Sequence, residues 1–172
     1  AGNHVSWELV DTGEDGHDTV VETTFDNNGA SGLTFIGGPS GEFIDITSYN
    51  AGELVFEVRV LSNPNDHPLV YKVDGAQFEG TGERSLGQAP LNIWTSFAIP
   101  VATLQSQGLN LTEVTAFVLM PTFAGQDVVL QWDNVRFEPG LSGGAVEVGL
   151  PVDFETEGAF YNFVNFNGGA SI

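Results

Sequence analysis

The chain has 172 residues, 41% of them apolar and 11% aromatic, enough for one packed domain of ordinary size and a remnant. Its 23 Asp and Glu against four Lys and Arg give a formal net charge of -19. Such a surface repels phosphate backbones and anionic lipid heads, so nucleic acid and membranes are excluded as partners, whereas neutral polysaccharide and divalent cations are not. The same acidity also suits plain solubility in a salty medium. Cysteine is absent, which removes disulfides, thiolate catalysis, zinc-thiolate sites and iron-sulfur clusters. There is neither an apolar run of membrane-spanning length nor a charged-then-apolar leader, and Ala1-Gly2-Asn3 reads as the cut end of a mature or excised piece.

Twenty-two glycines and eight prolines punctuate short β-rich runs, and no long segment keeps a 3.6-residue period, so the fold class is all-β. Predicted strands cover residues 6–10, 19–24, 33–36, 43–46, 54–61, 69–73, 95–99, 115–120 and 128–137. Strands at this spacing fit a two-sheet jelly-roll β-sandwich. Residues 101–107 suit one or two helical turns, stopped by Gly108. Composition then changes at Pro139-Gly140-Leu141-Ser142-Gly143-Gly144, which divides the chain into a sandwich module at 1–138, a Gly-rich linker at 139–149 and a segment at 150–172. That last segment, rich in aromatics, opens a second module or is a tail docked on the first.

Motifs for catalysis are missing. His4, His17 and His67 sit in polar, Gly- or Pro-rich surroundings, no His-x-x-x-His or Glu-x-Asp-x-x-Glu pattern occurs, and there is no Gly-x-Ser-x-Gly elbow, the one match to that spelling, Gly140 to Gly144, falling in the Gly-rich linker. Glu155 and Glu157 have acid-x-acid spacing, but they lie in the terminal segment. The chain therefore reads as no enzyme, although paired carboxylates can come from distant strands. Glu8, Asp11, Glu14, Asp15, Asp18, Glu22 and Asp26 crowd the beginning, and the Gly-broken stretch 11–18 is able to turn several oxygens onto one point. A solvated acidic loop explains the same residues, with Asp133 hydrogen-bonded to backbone amides.

Sugar binding calls for an aromatic face framed by hydrogen-bonding side chains. In 54–60, Phe56, Val58 and Val60 share one face and Glu57 and Arg59 the other, while Lys72 lies opposite Tyr71 in the following strand. Glu57, Arg59 and Lys72 form either a polar groove floor or salt-bridged residues facing solvent. Trp132, sharing a face with Leu130 and Asn134, is the first candidate platform, with Trp7 and Tyr49 as others; Trp94 is ambiguous. For each aromatic a place in the core is the competing reading. The polar stretch 61–68 is a recognition loop or a plain connector, and Asn110-Leu111-Thr112 fits a glycosylation acceptor.

Three phrases, Trp7-Glu8-Leu9-Val10-Asp11-Thr12-Gly13-Glu14-Asp15-Gly16, Ser62-Asn63-Pro64-Asn65-Asp66-His67-Pro68-Leu69 and Gln131-Trp132-Asp133-Asn134-Val135-Arg136-Phe137, are similar to the galactose-binding-like β-sandwich appended to secreted bacterial, often marine, β-glucan-degrading enzymes. The resemblance implies a secreted or cell-surface, non-catalytic module that holds a β-glucan such as laminarin near a catalytic domain. In calcium-binding jelly rolls it also implies a structural calcium, with Asp133 matching the ligand of the terminal phrase and Glu8, Asp15 and Asp18 the nearest partners. The rival readings are a structural accessory sandwich that binds no sugar and a jelly-roll polysaccharide-degrading enzyme.

Overall fold

The computed structural model describes residues 5–26, 29–35, 43–76, 79–122, 127–140, 151–152 and 161–167. Alternation of apolar and polar residues drives the chain into two antiparallel sheets that bury their facing sides on each other. One is built from β1 (Val5–Glu14), β2 (His17–Phe25), β4 (Glu53–Ser62), β7 (Thr95–Pro100), β9 (Val128–Glu138) and β10 (Pro151–Val152). Its order is β1-β2-β9-β4-β7, with β10 beside β9. The other contains β3 (Gly29–Phe35), β5 (Leu69–Gly75), β6 (Arg84–Gly87), β8 (Val114–Pro121) and β11 (Tyr161–Asn167), in the order β11-β3-β8-β5-β6. The all-β sandwich expected from the sequence is the fold observed.

Phe56, Val58, Trp132, Leu130 and Val21 from the first sheet meet Phe117, Leu69 and Val73 from the second in one buried cluster. Phe117 joins the two layers, 4.8 Å from the Phe56 ring and 5.9 Å from Trp132, edge-on to the latter. Between β7 and β8, α1 (Val101–Ser106) closes one end with Val101 and Leu104 buried. It stops as expected: Gly108 takes a φ of 109°, a left-handed conformation with no Cβ penalty, and Leu109 N–H donates to the Leu104 carbonyl.

Four local readings are changed, completed or decided by the tertiary structure. Residues 43–46 do not form a strand; Ile44 makes a single bridge to Val114 before a 3-10 turn at Thr47–Tyr49. The four residues of β6, short and half exposed, carry too little pattern to be read. The acidic stretch 11–18 is a hairpin instead of a ligand loop, since β1 and β2 run on to Glu14 and His17 around the turn Asp15-Gly16, with Gly16 at a φ of 80°. The stretch 61–68 carries the chain from one sheet to the other, braced by Asn63 Nδ2 donating to the His67 carbonyl and His67 N–H donating to Asn63 Oδ1.

Beyond residue 150, β10 hydrogen-bonds to β9 and β11 to β3, one in each sheet. His4, Glu155 and Glu157, and most of the 139–149 linker, lie outside the described residues.

Candidate functional site

A bulge decides which side chains face outward from the first sheet. Asn134 adopts a φ of 54°, and the β4–β9 register shifts between the pairs Val55↔Arg136 and Glu57↔Asp133, so β9 has one residue more than its partner there. Alternation resets: Leu130 and Trp132 point into the core before the bulge, Val135 and Phe137 after it. Gln131, Asp133, Asn134 and Arg136 are left to interact with polar groups on the outer face.

The bulge leaves the expected platform Trp132 on the core side of β9. Trp132 has no exposed surface and stands in register between Val21 and Val58, so it offers no face to a ligand. Tyr49 is buried too, its ring 5.9 Å from Phe137. Lys72 belongs to the second sheet, where its Nζ lies 2.8 Å from Asp74 Oδ1, away from Glu57 and Arg59. Consecutive strands β4 and β5 go to different sheets, which strand alternation alone does not reveal. Burial raises the Asp74 carboxyl above its usual range, against the pull of Lys72.

Glu57 and Arg59 do face outward, and the structure gathers residues around them that the linear pattern left apart. Trp94, half-buried just before β7, is positioned by the preceding segment, where Asn92 N–H donates to the Val60 carbonyl at 2.8 Å. Its ring stacks on His17 with centroids 3.9 Å apart and planes 12° from parallel, and the Arg59 guanidinium carbon is 4.8 Å from the ring centroid. Glu14 links the group, accepting from Arg59 Nη1 at 2.6 Å and from Trp94 Nε1 at 3.2 Å.

Beneath this aromatic pair runs a continuous polar lattice. Gln131 Oε1 accepts from Arg59 Nε and Nη2 at 2.9 and 2.5 Å, and Gln131 Nε2 donates to Glu22 Oε2 at 2.8 Å. Both ends of the amide are thus committed to partners of opposite hydrogen-bonding character, which fixes its orientation. Glu57 accepts from Ser96 Oγ at 2.8 Å and from Asn134 Nδ2 at 2.7 Å. His17 Nδ1 donates to Asp133 Oδ2 at 3.0 Å, and its Nε2 is 3.7 Å from Glu57 Oε2.

Among the described residues three carboxyl groups titrate below their ordinary range, Asp45 and, at this site, Glu14 and Glu57. Arg59, and then Trp94, hold Glu14 down by hydrogen bonding. Glu57 is pushed up by partial burial, but Ser96 and Asn134 together outweigh that, with help from the charges of His17 and Arg136. The unfolded chain lacks these bonds, so Glu57 stabilises the fold above its ordinary value of 4.5, and that contribution is lost as pH falls through the lower folded-state value. Stability in Glu57→Gln is expected to fall less steeply below pH 4.5 than in the wild type, as read by denaturant midpoints across an acid series.

The residues proposed for calcium do not converge. Asp133 is engaged by His17 and by the Asn134 N–H, the latter at 2.7 Å, which is the backbone-amide alternative read from the sequence. Glu8 pairs with Glu22 in mid-hairpin, six residues or about 20 Å along β1 from the turn that carries Asp15, and Asp18 is exposed just beyond that turn. Among the described residues no three His, Asp or Glu side chains form a group able to hold a metal, so Asp133, Glu8, Asp15 and Asp18 do not fit a shared ion. Trp7 is 42% exposed on β1, where it lines a shallow cavity with Ser6, Glu8, Glu22 and Thr24.

The sequence left Trp94 ambiguous and did not single out His17, Gln131, Glu14 or Asn134 for sugar binding. A signal existed for two of them: Trp94, Ser96 and Ala98 alternate with Phe97 and Ile99, and Gln131 alternates with Leu130 and Trp132, which puts Trp94 and Gln131 on the polar side. His17 had none, because its partners come from β9, β4 and the segment before β7.

Comparison with known proteins gives the fold a context. No family model and no curated protein sequence matches the chain. Among solved structures, the family 30 carbohydrate-binding module of the cellulosomal cellulase Cel9D-Cel44B of Clostridium thermocellum superposes with a TM-score of 0.54 at 13% identity, over 78% of this chain and 82% of that one. The family 11 module from Clostridium thermocellum, in complex with a β-1,3-1,4-mixed-linked tetrasaccharide, gives a TM-score of 0.55 at 13% identity, over 81% and 85%. An exo-β-agarase gives 0.59 at 14% identity, covering 80% of this chain but only 22% of the larger enzyme. The sandwich described above is therefore the β-sandwich fold of carbohydrate-binding modules of families 30 and 11.

Proposed function

We propose that the protein is a secreted, non-catalytic carbohydrate-binding module that holds a neutral polysaccharide, a β-glucan such as laminarin or a mixed-linkage glucan, on the outer face of its first sheet and so keeps a neighbouring catalytic domain near its substrate. The observation that carries this reading is the half-buried Trp94–His17 stack set among Glu14, Glu57, Arg59, Gln131 and Asn134. Aromatic surface beside fixed donors and acceptors suits a pyranose, which has apolar C–H surface and a rim of hydroxyl groups. The charge of -19 disfavours uronate or sulfate polymers and costs a neutral one little. The likeness to a module bound to a mixed-linked tetrasaccharide supports the choice of β-glucan.

Titration calorimetry of the chain against laminarin, mixed-linkage β-glucan and alginate tests it. Heat is expected with the neutral glucans, at a Kd on the order of 10 μM to 1 mM because an open face leaves much of the ligand in water, and none with alginate. No reducing ends should appear. Absence of heat with every neutral polymer would favour the structural-accessory reading, while product release abolished by a single Asp or Glu substitution would make the chain an enzyme.

A further inference from the structure

A cavity of about 190 Å³ opens at the β1–β2 edge of the first sheet, lined by Ser6, Trp7, Glu8, Glu22 and Thr24. Ser6 is paired with Thr24 and Glu8 with Glu22, and Glu22 continues in register through Gln131 to Arg59. Cross-strand partners share a face, so the hydroxyl and carboxylate pairs lie on the same side of the sheet as the Trp94 stack. The hydrogen-bond chain Trp94–Glu14–Arg59–Gln131–Glu22 links one location to the other without a break.

We infer that this cavity is a second sugar subsite, and that the bound polysaccharide crosses the strands from Trp94 to Ser6 and Glu8. The inference rests on the sugar-binding reading proposed above. Two carboxylates set directly opposite each other repel, and they offer acceptors only. A ligand that fills the cavity must bring donors and no negative charge, which describes the hydroxyl rim of a neutral sugar and disqualifies a uronate. The hydroxyls of Ser6 and Thr24 donate or accept as the ligand requires. From β7 to β1 there are four inter-strand spacings, roughly 20 Å in all, the reach of a short oligosaccharide and more than that of one sugar ring. Recognition is then of an internal stretch of chain, with Gln131 as the positioning residue between the two subsites.

Calorimetry with β-glucan oligosaccharides from the disaccharide to the hexasaccharide decides the matter. Wild type should gain at least tenfold in affinity with length. Glu8→Ala, which removes an exposed acceptor, and Ser6→Phe, which fills the cavity, should each reduce hexasaccharide affinity toward that of the disaccharide and leave disaccharide binding and the melting temperature unchanged. Trp94→Ala should weaken binding of both lengths at least tenfold. If both cavity variants retain full hexasaccharide affinity while Trp94→Ala weakens it, the second subsite is wrong and the Trp94 reading survives. If the wild type binds no oligosaccharide of any length, the sugar-binding reading fails and the inference with it.

Discussion

Trp132→Ala is expected to destabilise the fold by about 3–5 kcal/mol, the cost of emptying a buried aromatic site that its neighbours cannot fill. The side chain has no exposed surface, it packs edge-on against Phe117 from the opposite sheet, and it sits in register between Val21 on β2 and Val58 on β4. No other residue on the central strand β9 joins three strands and both layers through one ring of that volume. Thermal unfolding should show a fall in Tm on the order of 10 °C for a chain of this size. Trp132→Phe should recover much of the loss. A variant that melts within a degree or two of the wild type would mean that the indole is not in the core.

Trp94→Ala is expected to do the reverse, weakening β-glucan binding at least tenfold, about 1.4 kcal/mol, with little loss of stability. The ring is half-buried and holds a hydrogen bond to the exposed Glu14, and its stack on His17 and cation–π approach to Arg59 together contribute about 1–2 kcal/mol in a solvated setting. Removing it also frees His17 and Arg59 to shift, so the loss of binding combines lost stacking area with lost preorganisation. Binding isotherms and melting curves recorded on the same preparation separate this from general unfolding. Retention of full affinity in a folded Trp94→Ala protein would remove the outer face of the first sheet as the platform.

The contrast between these tryptophans shows where local pattern stops being informative. In β4 the alternation of Phe56, Val58 and Val60 with Glu57 and Arg59 assigns both faces correctly, because a regular strand repeats every two residues and nothing interrupts it. In β9 the same rule carried across Asn134 groups Trp132 with a polar neighbour and suggests exposure. One residue in a left-handed conformation shifts the phase, and a single asparagine gives no warning of it.

Composition, periodicity and turn residues by themselves determined that the protein is an all-β sandwich, where most strands run, that a short helix ends at Gly108, and that Glu57 and Arg59 face away from the core. These are consequences of local preference and of burying one face of each strand. Only the tertiary structure decided that β4 and β5 lie in different sheets, which takes Lys72 to Asp74, and that the acidic stretch becomes a hairpin, which keeps Glu8 far from the turn. It alone brought His17 to Trp94, Glu57 and Asp133, and Glu14 to Arg59. Those groups are separated by tens of residues, and they meet because β9 inserts between β2 and β4, a pairing selected by the packing of the whole core, with no trace in the residues flanking any one of them.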